Sequence, residues 1–173
     1  NVRLKRAIKE SIFEFEKERM INFSQGYATY PDDADGAKDL LKKARLAMVS
    51  ESQERLKKHI MIVDDEPVVI DALERLLGKL GYSNFIKARD GDEALTKIKN
   101  LTPDLVILDI RIPKMDGYMV VGKLKEDTTT KDIPVLIMSG YKVEPDRLKN
   151  HAMKESTPMI EKPFSIEQLD RMV

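Results

Sequence analysis

Residues 103–117, PDLVILDIRIPKMDG, decide the fold of this chain. Four apolar residues at positions 105–108 lie between flanking prolines, a pattern that predicts a strand buried on both faces of a parallel sheet. The run ends at Asp109. In an open α/β sheet the carboxyl ends of the strands face the ligand crevice, so Asp109 is expected at a functional edge. A single such carboxylate is more often only the cap of a turn, and other strands must support the functional interpretation.

Three further apolar runs also end in polar side chains. They are residues 60–63, followed by Asp64 and Asp65; residues 135–138, followed by Ser139; and residues 159–160, followed closely by Lys162. Parallel strands would bring these groups to one edge of the sheet. Carboxylates, a hydroxyl and an ammonium that converge there suit a hard, oxygen-seeking cation such as Mg²⁺ together with a phosphoryl group.

The segments between these runs have helix signals. Pro67 suits the first position of a helix, where a missing N–H costs little, and Gly81 ends the apolar stripe that follows. Ser165 and Gln168 form a capping box for the last helix. Strands that alternate with helices of this length predict an α/β fold with a parallel sheet and right-handed crossovers. The other predicted elements are a strand at residues 84–88, a helix after Asp90, a helix through Tyr118, Val121 and Leu124, and a helix after Pro145.

Composition excludes several classes of function. The chain has 173 residues, 30 basic and 30 acidic, so its formal net charge is zero and it has no overall field to hold nucleic acid or an anionic membrane. It has no cysteine, which excludes disulfides and thiol catalysis. No apolar run is long enough for a membrane helix, and no signal peptide opens the sequence. We therefore expect a cytoplasmic protein with neither a nucleic-acid nor a membrane partner.

Residues 58–173 resemble the receiver domain of two-component response regulators. The resemblance rests on an ordered set of short motifs: Val63-Asp64-Asp65, Leu108-Asp109, Pro113, Met115-Asp116-Gly117, Ser139-Gly140 and Lys162-Pro163-Phe164. It implies a doubly wound, flavodoxin-like sheet of five parallel strands in the order 2-1-3-4-5. It also implies a phosphorelay, in which a histidine kinase or a histidine phosphotransfer protein is the partner.

The resemblance assigns a role to each polar residue at the strand ends. Asp109 is the implied phosphoryl acceptor, and Asp64 and Asp65 together with Asp109 hold Mg²⁺. The backbone carbonyl of Arg111 adds a further metal ligand. Ser139 hydrogen-bonds the phosphoryl group and Lys162 pairs with it. The family often has an aromatic residue three positions before the lysine, where this chain has Met159.

Residues 1–56 are predicted to form a small α+β segment of helix, hairpin and helix, separate from a receiver domain at residues 57–173. The stretch Phe23-Ser24-Gln25-Gly26-Tyr27-Ala28-Thr29-Tyr30-Pro31-Asp32-Asp33 and the helix after it resemble the carboxyl-terminal half of a diguanylate cyclase (GGDEF) domain. The signature that binds nucleotide and metal in that family is absent from this sequence, so no production of cyclic di-GMP is expected. The second helix is expected to continue through Leu56 as a stiff connector. Its apolar stripe, at Leu40, Leu41, Ala44 and Met48, favours a homodimer.

Other functions stay open from the sequence. A haloacid-dehalogenase-type phosphatase also uses an aspartate at a strand end, but it needs a second aspartate two residues on, where Arg111 stands. The chain could instead be a fragment of a cyclase regulated by the receiver, or a nucleotide-binding or dimerising adaptor with an idle phosphorylation site. His59 and His151 lack metal-ligand spacing and are interpreted as surface residues. This interpretation also argues against a histidine kinase.

Overall fold

The computed structural model describes residues 37–140 and 157–173. Predictions for residues 1–36 and 141–156, including the hairpin and the helix after Pro145, lie outside the described residues. The chain divides into two units, Asn1–Glu51 and Ser52–Val173. The predicted boundary between residues 56 and 57 lies a few residues beyond this division.

The described elements alternate between helices and strands. In chain order they are α1 (Ala37–Lys57), β1 (His59–Val63), α2 (Pro67–Lys79), β2 (Asn84–Ala88), α3 (Gly91–Leu101), β3 (Leu105–Asp109), α4 (Gly117–Glu126), β4 (Val135–Ser139), β5 (Met159–Glu161) and α5 (Ile166–Asp170).

The five strands form one parallel sheet in the order β2-β1-β3-β4-β5. The predicted doubly wound, flavodoxin-like topology is therefore confirmed. The register places Val63 beside Leu108, Asp109 beside Met138, and Ser139 beside Glu161. The residues that end β1, β3, β4 and β5 consequently meet at one edge of the sheet.

Each face of the sheet has its own apolar core, because successive strand residues point to opposite faces. Met61, Val63, Val106 and Leu108 belong to a cluster with buried residues of α3 and α4. Ile60, Ile62 and Ile107 belong to the second cluster, which contains Ile70, Leu73 and Leu77 of α2 and Leu169 of α5. The helices thus cover both faces, and the central strands have no polar face to expose.

Local sequence signals set the helix starts. Pro67 occupies the first turn of α2, as predicted. The carboxylates of Asp90 and Asp116 cap α3 and α4 by accepting hydrogen bonds from backbone N–H groups within each helix. The predicted capping box of Ser165 and Gln168 is present at the start of α5. The prediction that the helix before β1 continues through Leu56 is also confirmed, since α1 ends at Lys57.

Several apolar side chains of α1 are exposed. Leu41 is 70% exposed, Leu46 59% and Leu56 52%. None of the helices in the described ranges combines the length and the apolar composition needed to cross a membrane.

Candidate functional site

A single lysine joins two carboxylates at the carboxyl edge of the sheet. The Nζ atom of Lys162 lies 2.7 Å from Oδ2 of Asp64 and 2.6 Å from Oδ2 of Asp109. Asp64 directly follows β1, Asp109 ends β3, and Lys162 directly follows β5. The sheet order therefore brings together three groups that are far apart in the sequence.

Burial makes the charge of Asp64 costly. Its side chain is completely buried. Burial raises the pKa of the Asp64 carboxyl above its usual value, and the negative charge of Asp109 adds to this effect. Hydrogen bonds from Lys162 and from the backbone N–H of Glu66, 3.0 Å from Oδ1, offset the rise only in part. The negative charge of Asp64 is therefore only partly stabilised by its neighbours.

The ammonium of Lys162 responds to the same environment. Burial lowers the pKa of Lys162, but the hydrogen bonds and charges of Asp109 and Asp64 outweigh it, so this pKa lies above its usual value. The backbone N–H of Lys162 also donates a 2.7 Å hydrogen bond to the carbonyl of Ser139. Lys162 is thus a charged group fixed at both its backbone and its side chain.

The loop after β3 is packed closely around Asp109. The backbone N–H of Arg111 lies 3.2 Å from Oδ1 of Asp109, and the N–H of Gly117 lies 2.8 Å from the carbonyl of Ile110. A Cβ atom added to Gly117 would lie 2.5 Å from the carbonyl oxygen of Asp109. Only glycine therefore permits this return of the chain to the end of β3.

Ser139 and Asp65 have different environments. Ser139 is the last residue of β4, is 6% exposed, and follows the residue paired with Asp109. Asp65 has an exposed side chain. In the part of the chain that the structure describes, no three acidic or histidine side chains are grouped closely enough to hold a metal ion. Of the three aspartates expected to meet, Asp64 and Asp109 both contact the ammonium of Lys162, and Asp65 is exposed.

The chemistry of the donor set nevertheless suits a divalent cation. Asp64 is a buried carboxylate, and it shares the ammonium of Lys162 with the carboxylate of Asp109. When both aspartates are ionised, these three side chains have a net negative charge. Hard oxygen ligands of this kind are those that Mg²⁺ prefers.

Sequence reasoning missed one contact that fixes the β3–α4 loop, residues 110–116. Lys114, which has a left-handed backbone with φ of 63°, places its Nζ atom 2.7 Å from Oδ2 of Asp90. A Cβ atom added to Gly91 would lie 2.6 Å from the carbonyl oxygen of Met115. The β3–α4 loop therefore rests on the first turn of α3. The Asp90-Gly91 pair predicted the start of a helix. It did not indicate that a distant loop would pack against that helix.

Comparisons with known proteins agree with this architecture. The protein called "Probable transcriptional regulator ycf27" of Porphyridium aerugineum is 34% identical over 117 residues, which cover 68% of this chain and 47% of that protein. The chain thus spans about half the length of this curated relative. The N-terminal domain of a response regulator receiver protein from Methanoculleus marisnigri JR1 is 33% identical, with a TM-score of 0.55 over 66% of this chain and 92% of that one.

A third relative is the receiver domain of the sensor histidine kinase PA1611 from Pseudomonas aeruginosa PAO1. It is 25% identical, with a TM-score of 0.58 over 66% of this chain and 92% of that one, and its crystal structure has a magnesium ion coordinated in the active-site cleft. The family model of the response regulator receiver domain matches residues 60–173. Since this match covers well over half of the sequence, the chain belongs to the response regulator receiver family of two-component signalling.

Proposed function

We propose that Asp109 accepts a phosphoryl group from the phosphohistidine of a histidine kinase or a histidine phosphotransfer protein. The observation that carries this proposal is the position of Asp109 at the end of β3, 2.6 Å from the ammonium of Lys162 and beside the buried Asp64. A carboxylate so placed is a suitable nucleophile for phosphoryl transfer.

The reaction forms one bond and breaks one bond. A carboxylate oxygen of Asp109 bonds to phosphorus, the bond from phosphorus to the imidazole nitrogen of the donor breaks, and the imidazole leaves and takes up a proton. The ammonium of Lys162 balances negative charge on the transferred group. Ser139, at the end of the neighbouring strand, supplies a hydrogen bond to a phosphoryl oxygen.

We assign Mg²⁺ to the same site. Asp64, Asp65, Asp109 and the backbone carbonyl of Arg111 would hold it, and when bound it supplies positive charge for the phosphoryl oxygens. The buried Asp64 supports this assignment, since one ammonium shared by two carboxylates leaves a net negative charge. The magnesium site of the PA1611 receiver supports it as well.

Intact-mass measurement tests the acceptor. The chain is incubated with acetyl phosphate and Mg²⁺, and the expected product carries one added phosphoryl group. Asp109→Asn should carry none. Asp116→Asn is the matched control, because Asp116 lies in the same loop and asparagine preserves its role as the cap of α4. An adduct that persists in Asp109→Asn, or that is lost in Asp116→Asn alone, would exclude Asp109 as the acceptor.

We also propose a role for residues 1–56, which rests on their sequence. We propose that this segment resembles half of a GGDEF domain, lacks cyclase activity, and associates as a homodimer. The exposed Leu41 and Leu46 of α1 support association, because apolar side chains of this size gain free energy when they are covered. Sedimentation of the 173-residue chain tests the dimer, and an assay with GTP tests the absence of cyclic di-GMP production. The transcriptional role in the name of the ycf27 relative describes a protein of which this chain covers less than half.

A further inference from the structure

The amino-terminal edge of the sheet carries a second group of contacts, on the side where Asn84 begins β2. Its residues belong to the turn between α2 and β2, to the first position of β2 and to the end of α5, and the last turn of α1 lies against them. We call this group the helix dock; it consists of Leu80, Tyr82, Ser83, Asn84 and Asp170.

Arg55 makes the main contacts with the helix dock. Its Nη1 atom donates a 2.9 Å hydrogen bond to the carbonyl of Leu80 and lies 3.0 Å from Oδ1 of Asp170. Its guanidinium carbon lies 5.6 Å from the centre of the Tyr82 ring. Leu80 caps the end of α2, and Asp170 is the last residue of α5. One guanidinium therefore binds the ends of two helices, where backbone carbonyls favour a cation.

The helix dock also caps α1 itself. The carbonyl of Leu56 accepts a 2.7 Å hydrogen bond from Nδ2 of Asn84 and a 3.4 Å hydrogen bond from the hydroxyl of Ser83. The last carbonyls of a helix have no partner within the helix, so these side chains satisfy a group that would otherwise need water. Lys57, by contrast, pairs with Glu54 of the same helix, and both side chains are well exposed.

The segment that carries Asp170 also carries Lys162. The lysine follows β5 at the functional edge, Ser165 then caps α5, the buried Leu169 fixes this short helix to the core, and Asp170 follows at once. The group that balances Asp109 and the group that binds Arg55 are thus part of one short, anchored segment.

We propose that the helix dock is a coupling interface, which holds the last turn of α1 with a strength that depends on whether Asp109 is phosphorylated. The inference rests on the proposed function. Phosphorylation changes the charge that Lys162 balances. A resulting shift of the segment from Lys162 to Asp170 would alter the distance between Asp170 and Arg55. Coupling of this kind is reciprocal, so the contacts of Arg55 also bias the phosphorylation equilibrium of Asp109.

Hydrogen exchange of the backbone amides in residues 45–57 tests the coupling in the 173-residue chain. In the unmodified protein, Arg55→Ala should raise exchange in the last turn of α1 by about tenfold, the loss expected for a charge-assisted hydrogen bond. Asp170→Asn should also raise exchange in this turn, but by a smaller factor. It is the milder variant to use if Arg55→Ala disturbs folding. Lys57→Ala is the matched control and should leave exchange unchanged.

Beryllofluoride with Mg²⁺, as a mimic of the phosphoryl group, tests the dependence on state. Exchange in the last turn of the original chain should change by at least about fivefold, and Arg55→Ala should remove this response. Protection of the peptide that contains Asp109 reports binding of the mimic separately. If that peptide is protected while α1 does not respond, or if Lys57→Ala acts like Arg55→Ala, the coupling is refuted and the proposed function stands. If acetyl phosphate gives no adduct and the mimic gives no protection, both are refuted.

Discussion

The Nζ atom of Lys162 lies 2.7 Å from Oδ2 of Asp64, a carboxylate with no exposed surface. Because the same nitrogen lies 2.6 Å from Asp109, one ammonium balances two acids. Removing it leaves a buried charge without its main partner, which is costly in a protein interior.

Lys162→Met is therefore expected to lower the free energy of unfolding by about 3 kcal/mol in the absence of Mg²⁺. Urea denaturation measures this change. Lys114→Met is the control. Lys114 pairs with Asp90, but the lysine side chain is 59% exposed, so this ion pair lies at the surface. Lys114→Met should lower the free energy of unfolding by less than about 1 kcal/mol. Equal losses in the two variants would contradict the special cost of the buried Asp64.

Mg²⁺ affinity should depend on Asp65. Its side chain is exposed, so Asp65→Ala should leave stability without metal nearly unchanged. As a proposed metal ligand, its removal should weaken Mg²⁺ binding by at least about tenfold, a loss that even outer-sphere partners of a metal can cause. Isothermal titration calorimetry gives the affinity, with Asp71→Ala of α2 as a control for the removal of an exposed acid. Unchanged affinity in Asp65→Ala would place the metal on other ligands.

Substitution by alanine is expected to have opposite effects on protein stability at two glycines. A Cβ atom at Gly91 would lie 2.6 Å from the carbonyl oxygen of Met115 and 2.7 Å from its Cβ atom, so Gly91→Ala should destabilise the protein by about 1–3 kcal/mol. Gly78 lies within α2 with nothing within 4 Å of such an atom, so Gly78→Ala should stabilise the protein by about 0.5–1 kcal/mol. Thermal or urea unfolding checks both signs. A stable Gly91→Ala variant would show that the β3–α4 loop does not rest on α3.

Asp104 should make stability depend on pH. The backbone N–H of His59, 2.8 Å from Oδ2, and then the ammonium of Lys58, 2.9 Å from Oδ1, hold the pKa of Asp104 below its usual value. A lowered native pKa stabilises the fold above the pKa of the unfolded chain, about 3.9, and this contribution is lost as pH falls through the native value. Asp104→Asn should cost less than about 1 kcal/mol at neutral pH, because the site is partly exposed. Urea unfolding at a series of pH values should show the difference shrinking below about pH 4, and a difference that grows there would contradict the assignment.

The elements that the sequence predicted well have local causes. The strand Asn84–Ala88, the start of α2 at Pro67 and the capping box of Ser165 are each set by a few adjacent residues. The position of Asp109 at the carboxyl edge of the sheet also followed from its place after an apolar run. Local composition and periodicity are sufficient for features of this kind.

The contacts that were not predicted join distant parts of the chain. Lys162 was expected to face a phosphoryl group, but its simultaneous contact with Asp64 depends on the side-chain arrangement of three strands. Arg55 and Asp170 are separated by almost the whole receiver sequence, and each alone has the pattern of an exposed helix residue. The close contact of Gly91 with Met115 likewise depends on where a loop crosses a helix. Side-chain packing decides such contacts, and the pattern of a single sequence does not contain it.

The most direct test of the central claim is to identify the phosphorylated residue itself. Borohydride reduces an aspartyl phosphate to homoserine, so the chain is treated with acetyl phosphate and Mg²⁺, reduced, digested and sequenced by tandem mass spectrometry. We expect homoserine at position 109 and at no other aspartate. Homoserine at position 64, 65 or 116, or its absence throughout the digest, would contradict the assignment of Asp109 as the phosphoryl acceptor.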